Sequence, residues 1–102
     1  MSQDKEMEKE IQAKGLIAPR VTLDQIEALM EKVEFKVHIV EGTTTTMAVA
    51  VLEGFTLAKE FTACVDPLNF NKELGEKYAI LKSKAAAKDK LWELEGYRLK
   101  FS

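Results

Sequence analysis

The stretch Phe55–Thr–Leu–Ala–Lys–Glu–Phe–Thr–Ala–Cys–Val–Asp–Pro–Leu–Asn–Phe70 constrains the fold more than any other part of this chain. Its first ten residues have the make-up of a half-buried strand, and its end has the signals of a helix start. Asp66 is a good N-cap, and Pro67 stands at the first helical position, where its missing N–H costs nothing. Val65 and Phe70 flank the cap with the spacing of a hydrophobic staple. A strand that feeds straight into a helix predicts a sheet with a helix laid back across it.

The upstream residues supply the rest of that sheet. Phe35, Val37 and Ile39 alternate with Lys36 and His38, the period of a strand with one buried face. Glu41–Gly42 reads as a turn, residues 43–52 are β-prone throughout, and Glu53–Gly54 is a tight second turn before a strand over 55–64. The result is a three-stranded antiparallel meander, which needs a helix on its apolar face to be stable. That helix is expected from about Pro67 to Glu93, ended by Gly96, with Tyr97–Phe101 as a short tail or a fourth, edge strand. Leu74, Tyr78, Leu81, Ala85 and Trp92 form one apolar stripe on it, and Ile80, Ala87, Leu91 and Leu94 an adjacent one. Two stripes exceed what one sheet face can cover, so self-association through the long helix is expected.

Before the sheet, Thr22-x-x-Gln25 is a capping box, with Val21 and Ile26 as its staple, opening a helix whose apolar face is Ile26, Leu29, Met30 and Val33. Residues 1–15 are dense in Glu and Lys, with Met7 and Ile11 alone at helical spacing, and read as a solvated helix ended by Gly15. Leu16–Arg20 is a connector. The chain therefore divides into a charged N-terminal segment, 1–20, and one α+β domain, 21–102.

Composition narrows the function classes. At 102 residues, 46% of them hydrophobic, there is room for one domain with a real core. No apolar run approaches the ~18 residues of a membrane span, and no signal peptide is read at the N-terminus. A single cysteine, Cys64, fits a reducing cytoplasmic setting. The net charge of −2 is uneven: residues 1–41 sum to −3, 42–71 to −2 and 72–102 to +3. Duplex nucleic-acid binding is disfavoured, since phosphate neutralisation needs a stronger basic excess. His38 has no second histidine or cysteine pair to make a metal site, and Cys64 has no nucleophile motif around it. No cofactor, no metal and no enzyme activity are expected.

Two features suggest a small anionic ligand. Thr43–Thr46 sets four hydroxyls beside Gly42, read first as strand-forming residues and second as a polar rim. Lys77, Lys84 and Lys88 lie at i, i+7 and i+11 on one helix edge, which is either a solvated face or a phosphate-binding edge. An aromatic such as Phe55 would then stack a base, with Asn69 and Asn71 adding hydrogen bonds near a helix N-terminus.

Ile11–Gln–Ala–Lys–Gly–Leu–Ile–Ala–Pro–Arg20–Val–Thr22, Gly42–Thr–Thr, Gly54–Phe55–Thr, Ala63–Cys–Val–Asp–Pro–Leu–Asn–Phe70 and Leu91–Trp–Glu–Leu–Glu–Gly–Tyr97 together resemble a family of small tailed-phage proteins. It is named after gene product forty-nine of one phage and gene product sixty-six of another. The resemblance implies a phage or prophage accessory protein working in the cytoplasm of an infected bacterium. The Gly–Phe and Trp–x–Leu–Glu–Gly–Tyr signatures are also similar to phage anti-Thoeris sponge proteins. That similarity implies an oligomer that sequesters a cyclic nucleotide-type immune signal, a counter-defence role, with Phe55 as the aromatic and the basic edge on phosphates. Lysines stand where that pattern has arginines, and lysine lacks arginine's bidentate fork. The ligand-binding set so expected is Phe55, Asn69, Lys77, Lys84 and Lys88. The competing expectation is a protein-binding module acting on a host or phage protein.

Overall fold

A computed structural model describes residues 2–15 and 18–102. The connector read at Leu16–Arg20 lies partly outside them, at Leu16 and Ile17. Helix α1 is Ser2–Ala13, and Gly15 follows it with φ +68°. Helix α2, Leu23–Met30, opens on Thr22, whose hydroxyl oxygen accepts from the Gln25 N–H at 3.1 Å. The second half of the capping box is absent. The Gln25 side chain donates instead to Glu95 Oε1 at 2.7 Å, joining α2 to the far end of the chain.

Strands β1 (Glu34–Ile39), β2 (Thr45–Leu52) and β3 (Phe55–Ala63) form an antiparallel sheet in that order. Glu53 and Gly54 both have positive φ, +48° and +83°, as a two-residue hairpin with the right twist requires. Strand β2 starts later than its β-prone residues. Thr43 donates to the Val40 carbonyl at 2.7 Å and accepts from the Thr45 N–H at 3.0 Å, which holds it in the turn.

Phe35, Val37 and Ile39 stand opposite Ala50, Ala48 and Thr46, which in turn stand opposite Ala58, Glu60 and Thr62. Residues paired this way share a face, and this is the helix side. The register shifts once: Ala50 pairs with Ala58 but Val51 with Thr56, so Leu57 is the extra residue of a bulge. The bulge brings Leu57 into the core, where it is buried.

Helix α3, Lys72–Lys100, lays its Gly75–Ala79–Ser83–Ala87–Leu91 row across that face. Every fourth residue is small until Leu91, and the β2 residues below (Thr46, Ala48, Ala50) are small too, so helix and sheet approach closely. Gly75 lies over Thr46, whereas Ala87 and Leu91 join Ile26, Ala50 and Leu57 in one core cluster. The N-terminal end of α3 therefore covers the open ends of β2 and β3 near Thr46 and Thr62. Its C-terminal half covers the Glu53–Gly54 hairpin end, where α2 closes the core.

Three expectations are corrected. The long helix does not begin at Pro67. Asp66 caps a single 3₁₀ turn, Pro67–Asn69, by accepting from the Leu68 N–H at 2.9 Å. Extended backbone at Phe70 then breaks the turn, and Asn71 caps α3 by accepting from the Leu74 N–H at 3.0 Å. Val65 is fully exposed, so it forms no staple with Phe70. Gly96 does not end the helix, and Tyr97–Phe101 is neither tail nor strand. Glu95 accepts from Gln25 and from Arg98, and the Tyr97 and Phe101 rings pack at 4.9 Å one turn apart. These contacts carry the helix through a glycine that costs about 1 kcal/mol.

Candidate functional site

A groove of about 390 Å³ opens at the entrance of α3. Its walls are the strand ends (Thr44, Thr62–Cys64), the capping segment (Asn69–Asn71) and the first turns of α3 (Leu74, Gly75, Tyr78). The local sequence builds it directly. Asp66 and Pro67 turn the chain off β3, Asn71 restarts it as a helix, and Gly75 lets that helix come down onto β2. A Cβ at Gly75 would lie 2.7 Å from Thr46 Oγ1. Thr62 fastens the same point, donating to the Gly75 carbonyl at 3.0 Å, and the Thr44 hydroxyl donates to the Cys64 carbonyl. Of Thr43–Thr46 only Thr44 reaches the groove, and its hydroxyl proton, like that of Thr62, is spent on a backbone carbonyl.

The groove presents two aromatic residues, Phe70 and Tyr78, two amides, Asn69 and Asn71, and the positive end of a 29-residue helix. The Lys77 ammonium lies 5.5 Å from the Tyr78 ring centroid, which adds a cation beside the aromatic wall. Chemically this suits a flat ring that carries an anionic group.

The expected ligand residues do not all meet here. Asn69 lines the groove, and Lys77 stands next to it through Tyr78. Phe55 is exposed at the opposite end of β3, eight residues from Ala63 and on the order of 25 Å away at strand rise. Lys84 is exposed about two turns beyond Lys77 on α3. Lys88 is largely covered and pairs with Asp4 of α1 at 3.3 Å. His38 sits on the outer sheet face and Cys64 on the helix side, so no cysteine–histidine pair is assembled. The sequence alone points to packing roles for Phe70, as a staple partner of Val65, and Tyr78, on an apolar stripe, whereas both line the groove. Their signal was the four-residue spacing Phe70–Leu74–Tyr78 across the junction.

A second cavity, about 470 Å³, lies between α1 and the C-terminal half of α3, lined by Met7, Ile11, Val21 and Trp92 with Asp4, Glu8, Arg20 and Asp89 at its rim. Glu8 accepts from Arg20 at 2.6 Å. That guanidinium holds the Glu8 carboxyl below the usual carboxylate range against the opposing effect of burial, and Glu8 raises Arg20 in return. Arg98, and after it Gln25, lower Glu95 in the same way. Among the described residues no group of three or more His, Cys, Asp or Glu could hold a metal ion, and no helix is long and apolar enough to cross a membrane.

No curated protein and no solved structure matches the chain. Residues 21–102, which include every residue of the groove, match the phage protein (N4 Gp49/phage Sf6 gene 66) family. The chain therefore belongs to that family of phage proteins.

Proposed function

We propose that this phage protein is an accessory counter-defence factor that binds a small nucleotide-type signal in the groove at the head of α3 and sequesters it without catalysis in the host cytoplasm. The observation that carries the reading is the groove itself. Its volume falls within the 300–1,000 Å³ typical of small-ligand sites. Aromatic rings, amides and a helix N-terminus converge there with Lys77 alongside. Sequestration demands affinity and stoichiometry only. A micromolar complex needs about −8 kcal/mol, within reach of one stacked ring and a few anion contacts.

Self-association through the long helix belongs to the same reading. Leu94 and Tyr97 near the end of α3 and Phe101 at its C-cap are exposed apolar residues. A second copy would cover them. Calorimetry with a panel of cyclic dinucleotides and ADP-ribose derivatives tests the ligand. Saturable heat that Tyr78→Ala and Asn69→Ala weaken supports the proposal. Absence of heat across the panel at high protein concentration sinks it and favours the alternative, a module that binds a host or phage protein.

A further inference from the structure

Helix α3 has two apolar faces, and only one of them meets the sheet. Opposite the Gly75–Ala79–Ser83–Ala87 row runs a heptad seam of Leu74, Tyr78, Leu81, Ala85, Lys88 and Trp92. Its C-terminal half is covered by α1, where Asp4 pairs with Lys88, and Met7 and Ile11 share a cavity with Trp92. Its N-terminal half is bare: Leu74, Tyr78 and Leu81 are 52%, 50% and 50% exposed. Lys77 and Lys84 flank this bare half on one side, and Lys82, whose ammonium donates to the Phe61 carbonyl at 2.8 Å, lies on the other.

We infer that the bare half of the seam is a docking surface for an acidic amphipathic helix of a partner protein. Three observations select that occupant. Further along the same face the α1 segment (SQDKEMEKEIQA) already approaches it, with Asp4 paired to Lys88 and Met7, Glu8 and Ile11 across a cavity from Trp92. The flanking lysines complement carboxylates at the partner's matching heptad positions. They also oppose a second α3 docked antiparallel, because Lys77 and Lys84 would then face their own copies. This surface shares Leu74 and Tyr78 with the groove, so its test uses Leu81 and Lys84, which lie outside the groove and separate the two readings.

The experiment is fluorescence anisotropy with the full chain and two labelled 18-residue amphipathic peptides. Both carry Leu at heptad a and d, and they differ only in having Glu or Lys at the flanking positions. The Glu peptide is expected to bind, and the Lys peptide to bind at least about tenfold more weakly. Leu81→Asp and Lys84→Glu are each expected to weaken the Glu peptide, the former by about tenfold or more, with unchanged circular dichroism. Equal binding of both peptides, or binding of neither, overturns the inference. So does Glu-peptide binding that ignores both substitutions and perturbs Trp92 emission, which would mean displacement of α1. A wild-type dimer that Leu81→Asp dissolves in sedimentation would assign the face to a second copy instead.

Discussion

Gly75 and Gly96 occupy one helix and serve opposite ends. A Cβ at Gly75 would press on Thr46 Oγ1 at 2.7 Å, with Thr46 Cβ at 3.5 Å behind it. Thr46 is fully buried and short, so it has little room to give. Gly75→Ala should destabilise the protein by about 1–3 kcal/mol, the usual cost of overpacking. A Cβ at Gly96 meets nothing within 4 Å, so Gly96→Ala should stabilise it by about 0.5–1 kcal/mol through helix propensity. Ser83 is a third case. Its hydroxyl is buried against the sheet without a hydrogen-bond partner among the described residues, and Ser83→Ala should be neutral or stabilising by up to about 1 kcal/mol. Urea unfolding followed by circular dichroism ranks all three variants. A Gly75→Ala variant as stable as Gly96→Ala would refute the close approach that shapes the groove.

At the scale of elements, α1 is fastened by charge more than by packing. Glu8 accepts from Arg20 and, at 3.4 Å, from the Leu23 N–H, while Asp4 meets Lys88. A cavity rather than a packed core separates its apolar residues from Trp92. The lowered Glu8 pKa gives a definite sign. Its contribution is fully present above the ordinary value of 4.5 and disappears as pH falls through the lowered one. Acid should therefore release α1 at the low end of the carboxylate range. Trp92 is the sole tryptophan, so its emission reports the release, and far-ultraviolet dichroism should keep the strand signal at the same pH. Arg20→Ala should abolish this acid step, leaving α1 loosened already at neutral pH. An Arg20→Ala protein with wild-type Trp92 emission from pH 7 to pH 3 would show that the contact does not hold α1. The cap of α3 is separable from this latch: Asn71→Ala should cost about 1 kcal/mol of stability without changing Trp92 emission.

The whole molecule is long for its mass. Its radius of gyration is 16.9 Å, against about 13 Å for a compact chain of this length. A main cause is α3, whose 29 residues run well past an eight-residue central strand. All five buried members of the core cluster lie between Ile26 and Leu91. Residues 21–102 should therefore fold without the first twenty, with a small loss in unfolding midpoint. A truncated chain that lacks a cooperative transition would show that α1 completes the core rather than decorating it.

The capped junctions, the alternation of β1, the Glu53–Gly54 turn and the two stripes of α3 were all legible in the sequence, because each depends on neighbours within a turn or a strand pair. Cap geometry, period and positive φ are local properties. The ends of α3 were not legible. A 3₁₀ turn at Pro67–Asn69 and the passage through Gly96 depend on Asn71, Gln25, Glu95 and Arg98 meeting in space. The candidate site divides the same way. Asn69 and Lys77 lie close in the chain and stay together, whereas Phe55 was joined to them by residue type and Lys88 by helical spacing along an edge that α1 meets. Register and the bulge at Leu57 decide which end of the sheet lies under which end of α3. A strand advances about 3.3 Å per residue and a helix about 1.5 Å. Residues matched by pattern along the two therefore meet only where the packing aligns them, and only the tertiary structure contains that alignment.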